Sequence, residues 1–205
     1  MNEEKNLQLE RLVFFTDAVV AIAITLLALE LKIEHTENGH LTFFDFSKNW
    51  SKFAAFFFSF VSIAVFWKKH HEFFRFIKSI DDKMFFYDLL WLLFIVLLPF
   101  STSLISTYFS DKAAMFAYCL NTLLITVFQN QIWDYVAKKP DFLKKELNLK
   151  TNYDNRVACN VSMLNGLLAT IVSFINPLLA FIILLSRFFM IMAAAKVFRH
   201  RQETK

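Results

Sequence analysis

The sequence predicts an all-α fold of six membrane-spanning helices, and three observations predict it. Apolar residues make up 57% of the 205, with 27 Phe, and mean hydropathy is +0.44. Soluble domains are far less apolar. The apolar residues fall into runs long enough to cross a hydrocarbon core of ~30 Å at ~1.5 Å per residue. Lys and Arg gather between these runs, seventeen on one alternating set of loops and termini and four on the other. By the positive-inside rule both termini are cytoplasmic.

The first span runs from Leu12 to Leu31 inside Arg11–Lys32, RLVFFTDAVVAIAITLLALELK. The polar MNEEKNLQLER before it has no cleavable-signal pattern and leads straight into the span. A polar loop, Ile33 to Lys52, carries Phe43, Phe44, Phe46 and Trp50, residues that suit the membrane interface. The second run, Phe53 to Trp67, spans only if its helix continues into KKHHEFFRFI. The third is Met84 to Ile105, with Pro99 near its far end. The fourth, Ala113 to Val136, stops at Lys138, Lys139 and Pro140. The basic stretch Lys138 to Arg156 has Phe142, Leu143 and Leu147 at helical spacing and predicts a short surface helix. Spans five and six fill Val157 to Ala195, with a tight hairpin at Asn176-Pro177. No repeat and no soluble domain interrupts a single domain over residues 1–205.

The net charge of +4, placed between apolar runs, suits anionic lipid headgroups rather than nucleic acid. Cys119 and Cys159 lie inside apolar runs as small core residues, with no CxxC or Cys/His spacing for a metal. His70, His71 and Glu72 are adjacent and diverge by 100° on a helix, unlike the i, i+4 pairs that hold metals. Nucleophile-elbow, HExxH and P-loop patterns are absent, so the chain is not read as an enzyme.

The first span carries the most information. An acid in lipid is costly, so Asp17 faces protein or water. On a helical wheel Ile22, Leu26 and Leu29 share a face, with Thr25 on its shoulder and Arg11, Phe15 and Ala18 extending the stripe. Asp17 points well away from it, toward neighbouring helices. Trp67, His70 and His71 end the second span at a similar depth, so an acid, an Arg and one or two His form a network between spans one and two. That network is a gate or proton-sensitive switch, or else a structural tie. A carbonyl filter needs a glycine-bearing loop, and neither Gly39 nor Gly166 has that setting. If the chain conducts ions, side chains must select them: apolar rings at Ile22, Leu26 and Leu29 and a hydroxyl ring at Thr25. One helix builds no pore alone, so a homo-oligomer is required.

Arg11 through Asp17, RLVFFTD, resembles the RxxxFSD signature of the transmembrane protein 175 family of potassium channels, with Thr16 in the serine position. The following AVVAIAITLLALEL, the Trp67/His70/His71 cluster and PFSTSLI from Pro99 are similar to that family too, so the likeness covers all six spans. The resemblance implies a prokaryotic single-repeat form: a potassium-selective homotetramer in the cell membrane, with no cofactor beyond the permeant potassium ion. It implies that the first helix lines the pore, with Ile22 as main constriction, Leu26 and Leu29 as further apolar layers and Thr25 as a hydroxyl layer. Arg11 and Asp17 would tie that helix to its neighbours near Trp67 and His70, with Phe15, Thr16 and His71 in the same interhelical network. Two readings compete with it. One is a proton-coupled secondary transporter using Asp17 and His70, and the other is a membrane scaffold whose stripe is packing.

Overall fold

Seven α-helices make up the computed structural model, which describes residues 2–32, 40 and 42–203. They are α1 (Asn2–Leu29), α2 (Phe43–Lys48), α3 (Trp50–Phe74), α4 (Asp82–Thr107), α5 (Lys112–Ala137), α6 (Leu149–Ser173) and α7 (Pro177–Glu203), with a 3₁₀ turn at Pro140–Phe142. Five are long and apolar enough to cross a membrane: α1 from Leu7, α3, α4, α5 and α6. The described apolar part of α7 runs over Pro177–Arg187. Gly39 and the adjoining part of the expected polar loop lie outside the described residues.

The helix ends follow local chemistry. The stretch before the first apolar run is helical because Glu, Lys, Leu and Gln are good helix formers. As the length of the second run requires, α3 continues through KKHHEFF. Asp81 caps α4 by accepting from the Met84 amide at 2.9 Å, and Asp111 caps α5 by accepting from the Ala113 amide at 2.7 Å. Asn148 starts α6 earlier than the apolar run does, accepting from the Thr151 amide at 2.7 Å. The α6–α7 hairpin is as tight as its sequence demands. Asn176 accepts from the Leu179 amide at 3.1 Å, and Pro177 opens α7, where a missing N–H costs nothing.

One expectation is overturned. The stretch after α5 is not a surface helix. Pro140 allows one 3₁₀ turn, after which Leu143 is extended (φ −98°, ψ 143°) and bridges to Ile77. The Lys78 amide donates to the Phe142 carbonyl at 2.9 Å and the Lys144 amide to the Phe76 carbonyl at 2.8 Å. Backbone groups that a helix would have paired internally are thus paired across to the segment after α3. Phe142, Leu143 and Leu147 pack toward the core instead of lying on a membrane surface.

The centre of the bundle is α4 and α5, between α3 on one side and α6 and α7 on the other. Trp91, Tyr118 and Trp133 are fully buried there. Gly166 lets α6 approach closely, since a Cβ at that position would meet the Leu123 Cα at 3.2 Å. On the outside, α1 packs against α3 and α4. Only 28% of its apolar stretch is buried, against 56% for α5.

Candidate functional site

The two faces of α1 have opposite environments. Leu9, Leu12, Thr16, Val20, Ala23 and Leu27 are buried against α3 and α4 at i, i+3 and i+4 spacing. Arg11, Phe15, Ala18, Ile22, Thr25, Leu26 and Leu29 run down the other face and are exposed. Ile22 is 59% exposed within the helix and Leu29 67% at its end. The Thr25 hydroxyl donates to the Ile22 carbonyl at 2.8 Å, so its proton is used internally and its lone pairs are left outward.

Behind this stripe three helices are tied by polar side chains. The Thr16 hydroxyl donates to Asp88 Oδ2 on α4 at 2.8 Å. His70 Nε2 on α3 meets the other oxygen, Asp88 Oδ1, at 2.5 Å. All three residues are buried. An ionised carboxylate only accepts, so with Asp88 ionised the imidazole proton sits on Nε2. The His70 ring is clamped between Phe74 and Trp91, with centroids at 4.4 and 4.3 Å, which fixes its plane. Asp17 lies one residue from Thr16 and so points about 100° round the helix, toward α3. There it accepts from Trp67 Nε1 at 2.7 Å, and His71 packs on Trp67 with ring centroids 5.6 Å apart. Thr16 thus fixes α1 to α4, Asp17 fixes it to α3, and His70 closes the triangle.

The sequence reading placed Asp17, Trp67, His70 and His71 at one depth, and the structure brings them together in two sets rather than one. Asp17 pairs with Trp67, whereas the partner of His70 is Asp88. Sequence reasoning missed Asp88, although an acid in DLLWLL carries its own signal. Arg11 is not drawn into either set. It lines a groove of about 670 Å³ between α1 and α4, beside Gln8, Phe15, Asp82 and Phe85.

On the same groove Asp81 links α4 to α5. Its Oδ2 accepts from the Tyr135 hydroxyl at 2.5 Å and from Lys139 Nζ at 2.8 Å. Burial alone would raise the Asp81 pKa; hydrogen bonds from Lys139, Tyr135 and the Met84 amide outweigh it and hold the carboxyl below its ordinary range. Lys139 is correspondingly raised, first by its hydrogen bond to Asp81 and then by that to Tyr135. Among the described residues no group of His, Cys, Asp and Glu is arranged to hold a metal.

Residues 11–99 match the family model described as endosomal/lysosomal potassium channel TMEM175. A protein of Chamaesiphon minutus named a potassium channel is 35% identical over 133 residues, covering 62% of this chain and 65% of its own length. A Streptomyces collinus protein of similar name is 30% identical over 112 residues, 54% of each chain. The chain therefore spans less than two thirds of the curated relatives it matches. The mouse protein named endosomal/lysosomal proton channel TMEM175 is 28% identical over 75% of this chain and 31% of its own. Among solved structures, the crystal structure of a lysosomal potassium-selective channel TMEM175 homolog from Chamaesiphon minutus superposes with a TM-score of 0.78 at 25% identity. It covers 91% of this chain and 98% of that one. Residues 11–99, with the signature and its helix, thus match the TMEM175 family model, and the chain shares its fold with a TMEM175 homolog over 91% of its length.

Proposed function

We propose that this chain is a potassium-selective channel, assembled as a homotetramer around four copies of α1. The observation that carries the reading is the α1 stripe. Ile22, Thr25, Leu26 and Leu29 are exposed on a helix whose opposite face is fixed by Thr16–Asp88 and Asp17–Trp67. Lipid would tolerate the apolar members but gives no reason to register them against buried polar ties. The names of the prokaryotic relatives support the same reading. Ile22 forms the narrowest ring, Leu26 and Leu29 further apolar layers over ~10 Å of helix at ~1.5 Å per residue, and Thr25 an oxygen layer between them. A dewetted apolar ring opposes every ion, and potassium sheds water more cheaply than sodium, which orders the two. His71 acts on the stripe through the Asp17–Trp67 tie rather than by touching the ion, and Arg11 and Phe15 extend the stripe toward the start of the helix. Both termini are cytoplasmic, the membrane is the cell membrane, the six spans form one domain, and the chain performs no catalysis.

The test is ion flux through purified protein in liposomes under opposed potassium and sodium gradients, wild type beside Ile22→Asn. Potassium-favouring flux that Ile22→Asn enlarges and makes less selective is the expected result. Absence of flux from folded wild type contradicts the channel reading. The mammalian relatives named proton channels keep a second reading in view, with Asp88 rather than Asp17 as the acid that meets His70. Acid-driven proton flux that His70→Gln abolishes while potassium flux persists would favour it.

A further inference from the structure

A second cavity, of about 240 Å³, lies between α3, α5, α6 and α7, away from the α1 stripe. Arg187 lines it and is 93% buried, its relative exposure being 7%. A guanidinium in the apolar interior normally meets a carboxylate, because an isolated buried charge is costly. Here its aromatic contact is the Phe66 ring, 4.3 Å from the guanidinium carbon, and among the described residues no carboxylate lies at ion-pair distance. The other charged groups on the lining are Lys68, Lys69 and Glu72. Glu72 is already paired with Lys69 at 3.1 Å, and Lys69 also donates to Asn155 at 2.7 Å. Three cations therefore share one cavity with one neutralised carboxylate.

The depth of the charge is informative. Trp50 and Pro177 border the same small surface pocket, so α3 and α7 begin at one level. From that level Phe66 lies ~24 Å along its helix and Arg187 ~15 Å, at ~1.5 Å per residue. The side chain of Arg187 reaches toward the end of α3 that carries Lys68 and Lys69, as a snorkelling cation does. Beside them Val65 and Lys68 are exposed, an apolar step under a cationic rim. That pattern fits the junction of an acyl chain and a headgroup.

We infer that this cavity binds a phosphate group presented by an anionic lipid in the leaflet where α3 ends. Arg187 supplies the buried charge and Lys68 and Lys69 the rim. Basic pockets between spanning helices are suited to such headgroups.

The test is native mass spectrometry of the full-length protein titrated with phosphatidylglycerol and, separately, with phosphatidylcholine of the same chains. Wild type should retain phosphatidylglycerol at least about fivefold more tightly, the factor that one basic residue near an anionic headgroup supplies. Arg187→Gln should remove that preference without changing phosphatidylcholine binding. Where Arg187→Gln does not fold, the Lys68→Gln/Lys69→Gln double variant carries the same expectation at the rim. Added inorganic phosphate separates the sources. Displacement of the lipid in wild type identifies a site for the free ion with the same chemistry, and persistence identifies the lipid. Equal retention of both lipids, or a preference that survives the folded variants, overturns the proposal.

Discussion

Thr16 on α1 donates its hydroxyl to Asp88 on α4 at 2.8 Å, and both residues are fully buried. This bond sets the rotation of α1, because it places the Ile22–Leu29 stripe on the face turned away from α3 and α4. Thr16→Val keeps the shape and deletes the donor, leaving Asp88 with one unmatched oxygen. A loss of about 1–2 kcal/mol in unfolding free energy is expected, with Thr16→Ser close to wild type. Unfolding in detergent measures it, and equal stability of all three would contradict the role.

The Asp17–Trp67 bond is the corresponding tie to α3. Asp17→Ala and Trp67→Phe should each destabilise, and the double variant should cost less than their sum. A coupling of about 0.5–2 kcal/mol in the double-mutant cycle is expected. Additive effects would show that the contact carries no energy.

Asp81 gives a pH dependence with a definite sign. Its folded pKa lies below the ordinary value, so its contribution is present above about pH 4 and is lost as pH falls through the lowered value. Lys139 is shifted up, so its contribution holds below its ordinary range and is lost as pH rises through the raised value. Asp81→Asn keeps a capping oxygen but not the charge. Its stability deficit relative to wild type should be clear at neutral pH and shrink in acid. A deficit independent of pH would contradict the ion pair.

Gly166 sits where α6 comes within contact of the Leu123 backbone, 3.2 Å from a would-be Cβ. Gly166→Leu should part the two helices and cost at least about 2 kcal/mol, measured by thermal unfolding. Tolerance of leucine would mean that the interface is plastic.

Much of this architecture is legible in the sequence, because apolar length reports on a bilayer directly. The five spans of α1, α3, α4, α5 and α6, the need for α3 to continue past Trp67, and the different faces of Ile22 and Asp17 all follow from apolar length and periodicity. What escaped was pairing. Wheel geometry gives the direction of Asp17 but not which acid His70 reaches, since that depends on how α4 is rotated against α3. Asp88 was in plain view as an intramembrane acid without an evident partner. The surface helix expected after α5 failed for another reason. Helical spacing of Phe142, Leu143 and Leu147 is also compatible with an extended strand segment once Ile77 offers backbone partners.

The most direct measurement is thiol accessibility along α1. The native Cys119 and Cys159 are buried but Cys159 lines the second cavity, so both are first replaced by Ser. Single cysteines would replace Ile22, Thr25 and Leu29 on one face and Val20, Ala23 and Leu27 on the other, with potassium flux recorded before and after the reagent. The account predicts block at the first three and none at the second three. Block on the buried face, or no block on either, would contradict a pore lined by this stripe.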